Sequence, residues 1–178
     1  MKSNVFLSLF SVAGMLSASV FALDVDAAVK EIDAKGKTDP KLFNPACFWS
    51  GTTADPSGKK VAAKEAFDKF KKDHHCKEPE DLLVKLAAYN PKEKLTDIPR
   101  EQWVKISEAF IAHVNPAQDV NVLLGKDVAK ESIWKKTNIP ALAKRGVSKV
   151  HVYTFEGVDK PFKHEPDLDV KEAAKNMK

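Results

Sequence analysis

Between Trp103 and Leu142 the apolar residues change period twice, and that change limits the folds open to the chain. Trp103, Ile106, Ala109, Phe110 and Val114 recur every three or four residues, the period of one helix face. Asn115-Pro116 breaks the pattern, and Asp119 to Leu124 follows as a run rich in β-branched residues, closed by Gly125. Val128 to Trp134 reads as a loop or short helix. Ile139 to Arg145 reads as a helical turn ended by Gly146, and Lys149 to Phe155 alternates as another strand. Strands separated by helical segments predict an α/β fold, with a small, largely parallel sheet flanked by helices.

The upstream segments extend the pattern. Ala46 to Ser50 is a short run with two aromatics that stops at Gly51, the pattern of a buried strand, and Thr52 to Gly58 reads as a loop. Apolar residues at 62, 63, 66, 67 and 70 share a helix face that ends near His74. Pro79 suits a first helical position, and Glu80 and Asp81 place negative charge in the turn where the helix dipole favours it. Leu82, Leu83, Leu86 and Ala87 form the expected buried face, stopped by Asn90-Pro91. Pro99 opens the Trp103 helix, which should run to about His113. Residues 23–45 are expected as a lead-in with a short helix over Asp24 to Ala34, residues 46–160 as the α/β domain, and residues 161–178 as a loose polar tail. A length of 178 residues fits one domain.

Residues 1–22 differ from the rest. Lys2 precedes a mostly apolar stretch from Val5 to Leu16, and Val20-Phe21-Ala22 suits a cleavage point, so they are expected to be a secretory signal peptide cut after Ala22. The mature chain is then expected outside the cell, where an oxidising compartment favours pairing Cys47 with Cys76 across about 30 residues. The alternative is two separate thiols. A net charge of +4 with no dense basic patch argues against nucleic acid, and no later stretch has the ~18 apolar residues of a membrane span. A protein partner stays unspecified.

Familiar catalytic signatures are missing. His74-His75-Cys76 offers ligand types, but adjacent residues do not all face one metal, so no metal site is expected there. Ser50 sits in Trp-Ser-Gly-Thr rather than a nucleophile elbow, and no glycine-rich phosphate loop occurs.

A set of aromatics and acids at strand ends and helix starts remains. Phe48-Trp49-Ser50-Gly51, then Pro79-Glu80-Asp81-Leu82, then Trp103-x-x-x-Ser107-x-x-Phe110-Ile111-Ala112, then Val120-Asn121-Val122-Leu123-Leu124-Gly125 stand in this order. Together they resemble the catalytic half of the ADP-ribosyl cyclase and NAD glycohydrolase family, and also the cyclase-like domains of secreted fungal proteins and bacterial toxins. The resemblance covers about residues 46–155. It implies a secreted, effector-like protein that takes NAD as substrate or ligand, needs no separate cofactor or metal, and cleaves the nicotinamide N-glycosidic bond.

The resemblance also implies roles. Trp49 and Trp103 would flank the nicotinamide ribose, an indole face being suited to a flat cation. Glu80 and Asp81 would orient the nicotinamide amide, Ser50 and Trp134 would line the substrate pocket, and Ser107 would contact phosphate. The family's decisive glutamate, four residues after an aromatic and four before a leucine, falls between Trp134 and Leu142, on Asn138. Asparagine hydrogen-bonds a ribose diol but carries no charge to stabilise an oxocarbenium ion. A lost electrostatic contact of this kind costs on the order of 3–4 kcal/mol of barrier, a few hundredfold or more. Glu131, in the same segment, is the substitute if the register shifts by a turn. A relative that keeps the pocket without catalysis is the second expectation, and an unrelated secreted structural domain the third.

Overall fold

The computed structural model describes residues 23–92 and 94–177. The expected signal peptide lies outside them. The core is a mixed sheet. Strands β1 (Ala46–Ser50), β4 (Val120–Leu124) and β5 (Lys149–Thr154) run parallel in that order, with Ala46 opposite Val120 and Asn121 opposite His151. Two short strands join β5 antiparallel: β6 (Lys163–His164) at its C-terminal end and β7 (Leu168–Asp169) at its N-terminal end. The α/β architecture expected from the changes of period is therefore the one observed.

Side chains alternate across a strand, so each strand feeds two cores. Ala46, Phe48, Val120, Val122 and Val150 pack on one face under α1 (Val25–Thr38), α4 (Arg100–Ile111), α5 (Ile139–Arg145) and α6 (Val170–Lys175). Cys47 and Leu123 pack on the other under α2 (Ala63–His74), with Phe67, Phe70 and Phe155. Cys47 and Cys76 form a disulfide. It ties β1 to the segment leading into α3 (Pro79–Leu83), where Ala46 also bridges to Lys77. Among the described residues no helix is long and apolar enough to cross a membrane.

Five local expectations need correction. The helix expected in the lead-in forms, but it runs on to Thr38 and belongs to the main core: Asp24 caps α1 by accepting from the Ala27 N–H at 3.0 Å, and Val25, Ala28 and Ile32 form a buried stripe. Its approach to the end of α4 is close, since a Cβ on Gly36 would lie 2.2 Å from the His113 ring. The loop at 52–58 opens with a strand, β2 (Thr52–Ala54), paired antiparallel with β3 (Lys60–Ala62). Gly51, at φ +86°, turns the chain from β1 into β2, a conformation that suits glycine. Helix α3 ends at Leu83, so Leu86 is buried from a turn and Ala87 is exposed.

The fourth correction concerns the segment before α5, which the sequence pattern leads one to expect as a loop delivering Asn138 beside Trp134. Trp134–Asn138 is a π-helical segment continuous with α5 rather than a loop. The fifth is the tail, which packs: Val170 is fully buried, and Phe162 meets Phe70 edge-on with centroids 5.2 Å apart. Two-residue strands are too short to show a period, which is why the tail reads as polar and loose in the sequence.

Candidate functional site

A cavity of about 740 Å³ opens beside β1 and takes in its last residues, Phe48, Trp49 and Ser50. Open α/β sheets favour ligands at the carboxyl ends of their strands. The remaining walls come from Lys64 of α2, Glu78 to Glu80 at the start of α3, Tyr89, residues 94–96, Trp103 and Ser107 of α4, and Ile133, Trp134 and Asn138. Trp103 and Ser107 stand four apart and so share one side of α4. Trp134 is nearly buried, with its ring centroid 5.9 Å from that of Phe48, whereas Trp49 and Trp103 are half-buried.

One end of the cavity is ionic. Lys64 bonds the carboxylate of Glu80 and stands 3.5 Å from Glu78 Oε1, while its ammonium lies 5.5 Å from the centroid of the Trp49 ring. Lys71 donates to Glu78 at 2.6 Å and to Asp81 at 2.7 Å. Burial, reinforced by the negative charge of Glu80, pushes the Glu78 carboxyl above its ordinary range. Burial alone would lower Lys71, but its bonds to Asp81 and Glu78 prevail and hold its pKa well above the usual value, so it stays charged.

The cavity wall also carries a buried neutral amide. Asn138 is 5% exposed, and its Oδ1 has no hydrogen-bond partner among the described residues. A buried amide oxygen without a partner costs about 1–3 kcal/mol, which a ligand donor reaching it would recover. The widened π-helical turn that carries Asn138 is itself a feature that recurs at functional sites.

The structure thus gathers Trp49, Ser50, Glu80, Trp103, Ser107, Trp134 and Asn138 around one cavity. It leaves two candidates out. Asp81 turns to Lys71 instead of lining the cavity. Glu131 is exposed, faces Lys136 at 3.4 Å, and accepts from the Arg100 guanidinium through its backbone carbonyl. It does not border the cavity and so offers no carboxylate in place of Asn138. Lys64, Glu78, Tyr89, Lys94 and Thr96 line the site without having been marked by any motif. Only Glu78 had a local signal, its place just before Pro79 and two residues after Cys76.

No family model, curated protein or solved structure matches the chain.

Proposed function

We propose that this cavity binds NAD or a closely related nucleotide through its nicotinamide ribose end. The reading is carried by one observation: Trp49, Trp103, Glu80, Ser107 and Asn138, far apart in sequence, line the same cavity. The resemblance to the cyclases assigns to these residues the ring, amide, phosphate and ribose contacts. The cationic nicotinamide ring stacks between the indoles, Glu80 accepts from the carboxamide, and Lys94 and Lys64 are the nearby cations for the diphosphate. The unpartnered Asn138 Oδ1 accepts from a ribose hydroxyl.

The reaction such a site runs is cleavage of the bond between ribose C1′ and the pyridinium nitrogen. The bonding pair leaves with nicotinamide, which becomes neutral, and the ribose takes oxocarbenium character. Water then gives ADP-ribose and a proton, while attack by the adenine ring gives the cyclic product. Preorganised charge in the site is what would stabilise that oxocarbenium cation.

A second reading, binding without turnover, is favoured by the neutral Asn138 and by the exposed position of Glu131. In the first reading the two carboxylates at the ionic end must serve the cation, and both are engaged by lysines. The test is calorimetric titration of the chain lacking residues 1–22 with NAD, alongside incubation with a fluorogenic NAD analogue. Saturable binding weakened roughly 10- to 100-fold by Trp103→Ala supports the site, from the usual worth of one aromatic stack. Turnover then separates the two readings, and neither binding nor turnover defeats both.

A further inference from the structure

We propose that His151, His164 and Asp167 form a binding site for one transition-metal ion of the zinc class, apart from the nucleotide cavity. None of the three lines that cavity. They are separated in sequence, so no spacing motif announces them. The fold brings them together: Tyr153 of β5 pairs with His164 of β6, and His151, two residues earlier on β5, lies diagonally across the same face. Asp167 follows in the short connection between β6 and β7.

One ligand atom from each residue lies within 4.8 Å of the other two. Asp167 Oδ1 is 2.8 Å from His151 Nδ1 and 3.2 Å from His164 Nε2. A tetrahedral ion with bonds of about 2.0–2.2 Å needs its ligands roughly 3.3–3.6 Å apart, so side-chain adjustments of a few tenths of an ångström to about an ångström admit it.

Each ligand is also held from behind. The second ring nitrogen of His151, Nε2, lies 3.4 Å from Asp119 Oδ1, the carboxylate support that commonly orients a metal-binding imidazole. Tyr153 lies against the His164 ring with centroids 5.0 Å apart. Lys149 occupies the other oxygen of Asp167, Oδ2, at 3.0 Å, which leaves Oδ1 turned to the imidazoles.

Both nitrogens of His151 face carboxylate oxygens. A metal on Nδ1 would leave Nε2–H to donate to Asp119. Two imidazoles and one carboxylate suit zinc, copper or nickel rather than calcium or magnesium, which prefer oxygen ligands. Three protein ligands leave a fourth position for water. The ion would clamp the two-residue strands β6 and β7 onto β5, so its expected effect is on stability.

The test uses the full mature chain, stripped with EDTA and titrated with Zn²⁺ by calorimetry, with thermal melts in parallel. One Zn²⁺ per chain and a rise in Tm are expected, with no competition from Ca²⁺ or Mg²⁺. His164→Ala and Asp167→Asn, each checked for folding by circular dichroism, should weaken binding at least about tenfold, and Asp119→Asn by up to about tenfold. His75→Asn, an exposed histidine in a left-handed conformation that asparagine tolerates, should leave it unchanged. Absence of Zn²⁺ binding overturns the proposal. So does binding that His164→Ala and Asp167→Asn leave intact.

Discussion

Glu78 accepts a 2.6 Å hydrogen bond from Lys71 while only 2% of its side chain meets solvent. It stands at the wall of the cavity and at the end of the segment that the disulfide anchors. Removing one partner of a buried ion pair ordinarily costs about 3–5 kcal/mol. Here Lys71 is 15% exposed and retains Asp81, so Glu78→Ala should cost less, roughly 1–3 kcal/mol in urea unfolding. A cost near zero would show that the pair contributes nothing net.

The same carboxyl gives a pH signature. Its pKa in the folded protein is raised above the ordinary 4.5 by burial, with Glu80 adding repulsion. A raised group binds its proton more tightly when folded. Its contribution is therefore fully present below the unfolded pKa and is lost as pH rises through the folded value. The stability of the wild type minus that of Glu78→Gln should fall as pH increases from about 4.5 upward. A rising difference would mean that Lys71 outweighs burial.

If the cavity runs the proposed cleavage, Asn138→Glu should raise turnover of a fluorogenic NAD analogue by about a hundredfold or more over the parent, since it places charge opposite the developing cation. Asn138→Gln is the neutral control and should give no gain. Equal activity in both would remove Asn138 from the chemistry. Because the site is buried, the glutamate variant should also lose stability, read from its unfolding midpoint.

Cys47 and Cys76 are 29 residues apart. Closing a loop of that size restricts the unfolded chain by about 3–4 kcal/mol, so Cys47→Ser with Cys76→Ser should lower stability by that order. Cys47 also borders the cavity, and Cys76 directs the chain into Glu78. The NAD binding proposed for the cavity should therefore weaken with stability, measured by titration under conditions where the variant is still folded.

Ile32→Ala tests whether the N-terminal helix belongs to the core. Ile32 is fully buried in the cluster that contains Phe43 and Phe110. A loss of about 2–5 kcal/mol is expected from the removed side chain and the cavity left behind. A surface value below about 0.5 kcal/mol would make α1 an appendage.

The parts legible in the sequence were those with a repeated period. Residues 46–50, 120–124 and 149–154 read as strands because β-branched and aromatic residues run between clear stops, and the α2 and α4 stripes run long enough to show 3.6-residue spacing. The full length and burial of the helix around Ile32 are hard to see in the sequence because three buried residues stand among many charges. Neither β2 nor β6 is long enough to alternate. At the cavity, Trp49, Trp103 and Ser107 were reachable through their order. Lys64 has no such signal and Glu78 has only its place before Pro79, because their role comes from α2 packing beside the start of α3. The π turn at Trp134–Asn138 had no sequence signal, since it depends on backbone hydrogen bonding rather than residue type.

The Ala46–Lys77 bridge has a further consequence for how copies of the chain behave together. Strand β1 is the outer strand on its side of the sheet, and an outer strand exposes backbone groups that another chain can extend. Cys47 N–H donates to the Lys77 carbonyl at 2.8 Å, and Lys77 N–H donates to Pro45 at 2.8 Å, so the start of β1 is already occupied. At the opposite border the strands are two residues long, too short to template growth. Residue 77 thus covers the start of an edge that another strand could otherwise extend, and it is held in place through its neighbour, Cys76.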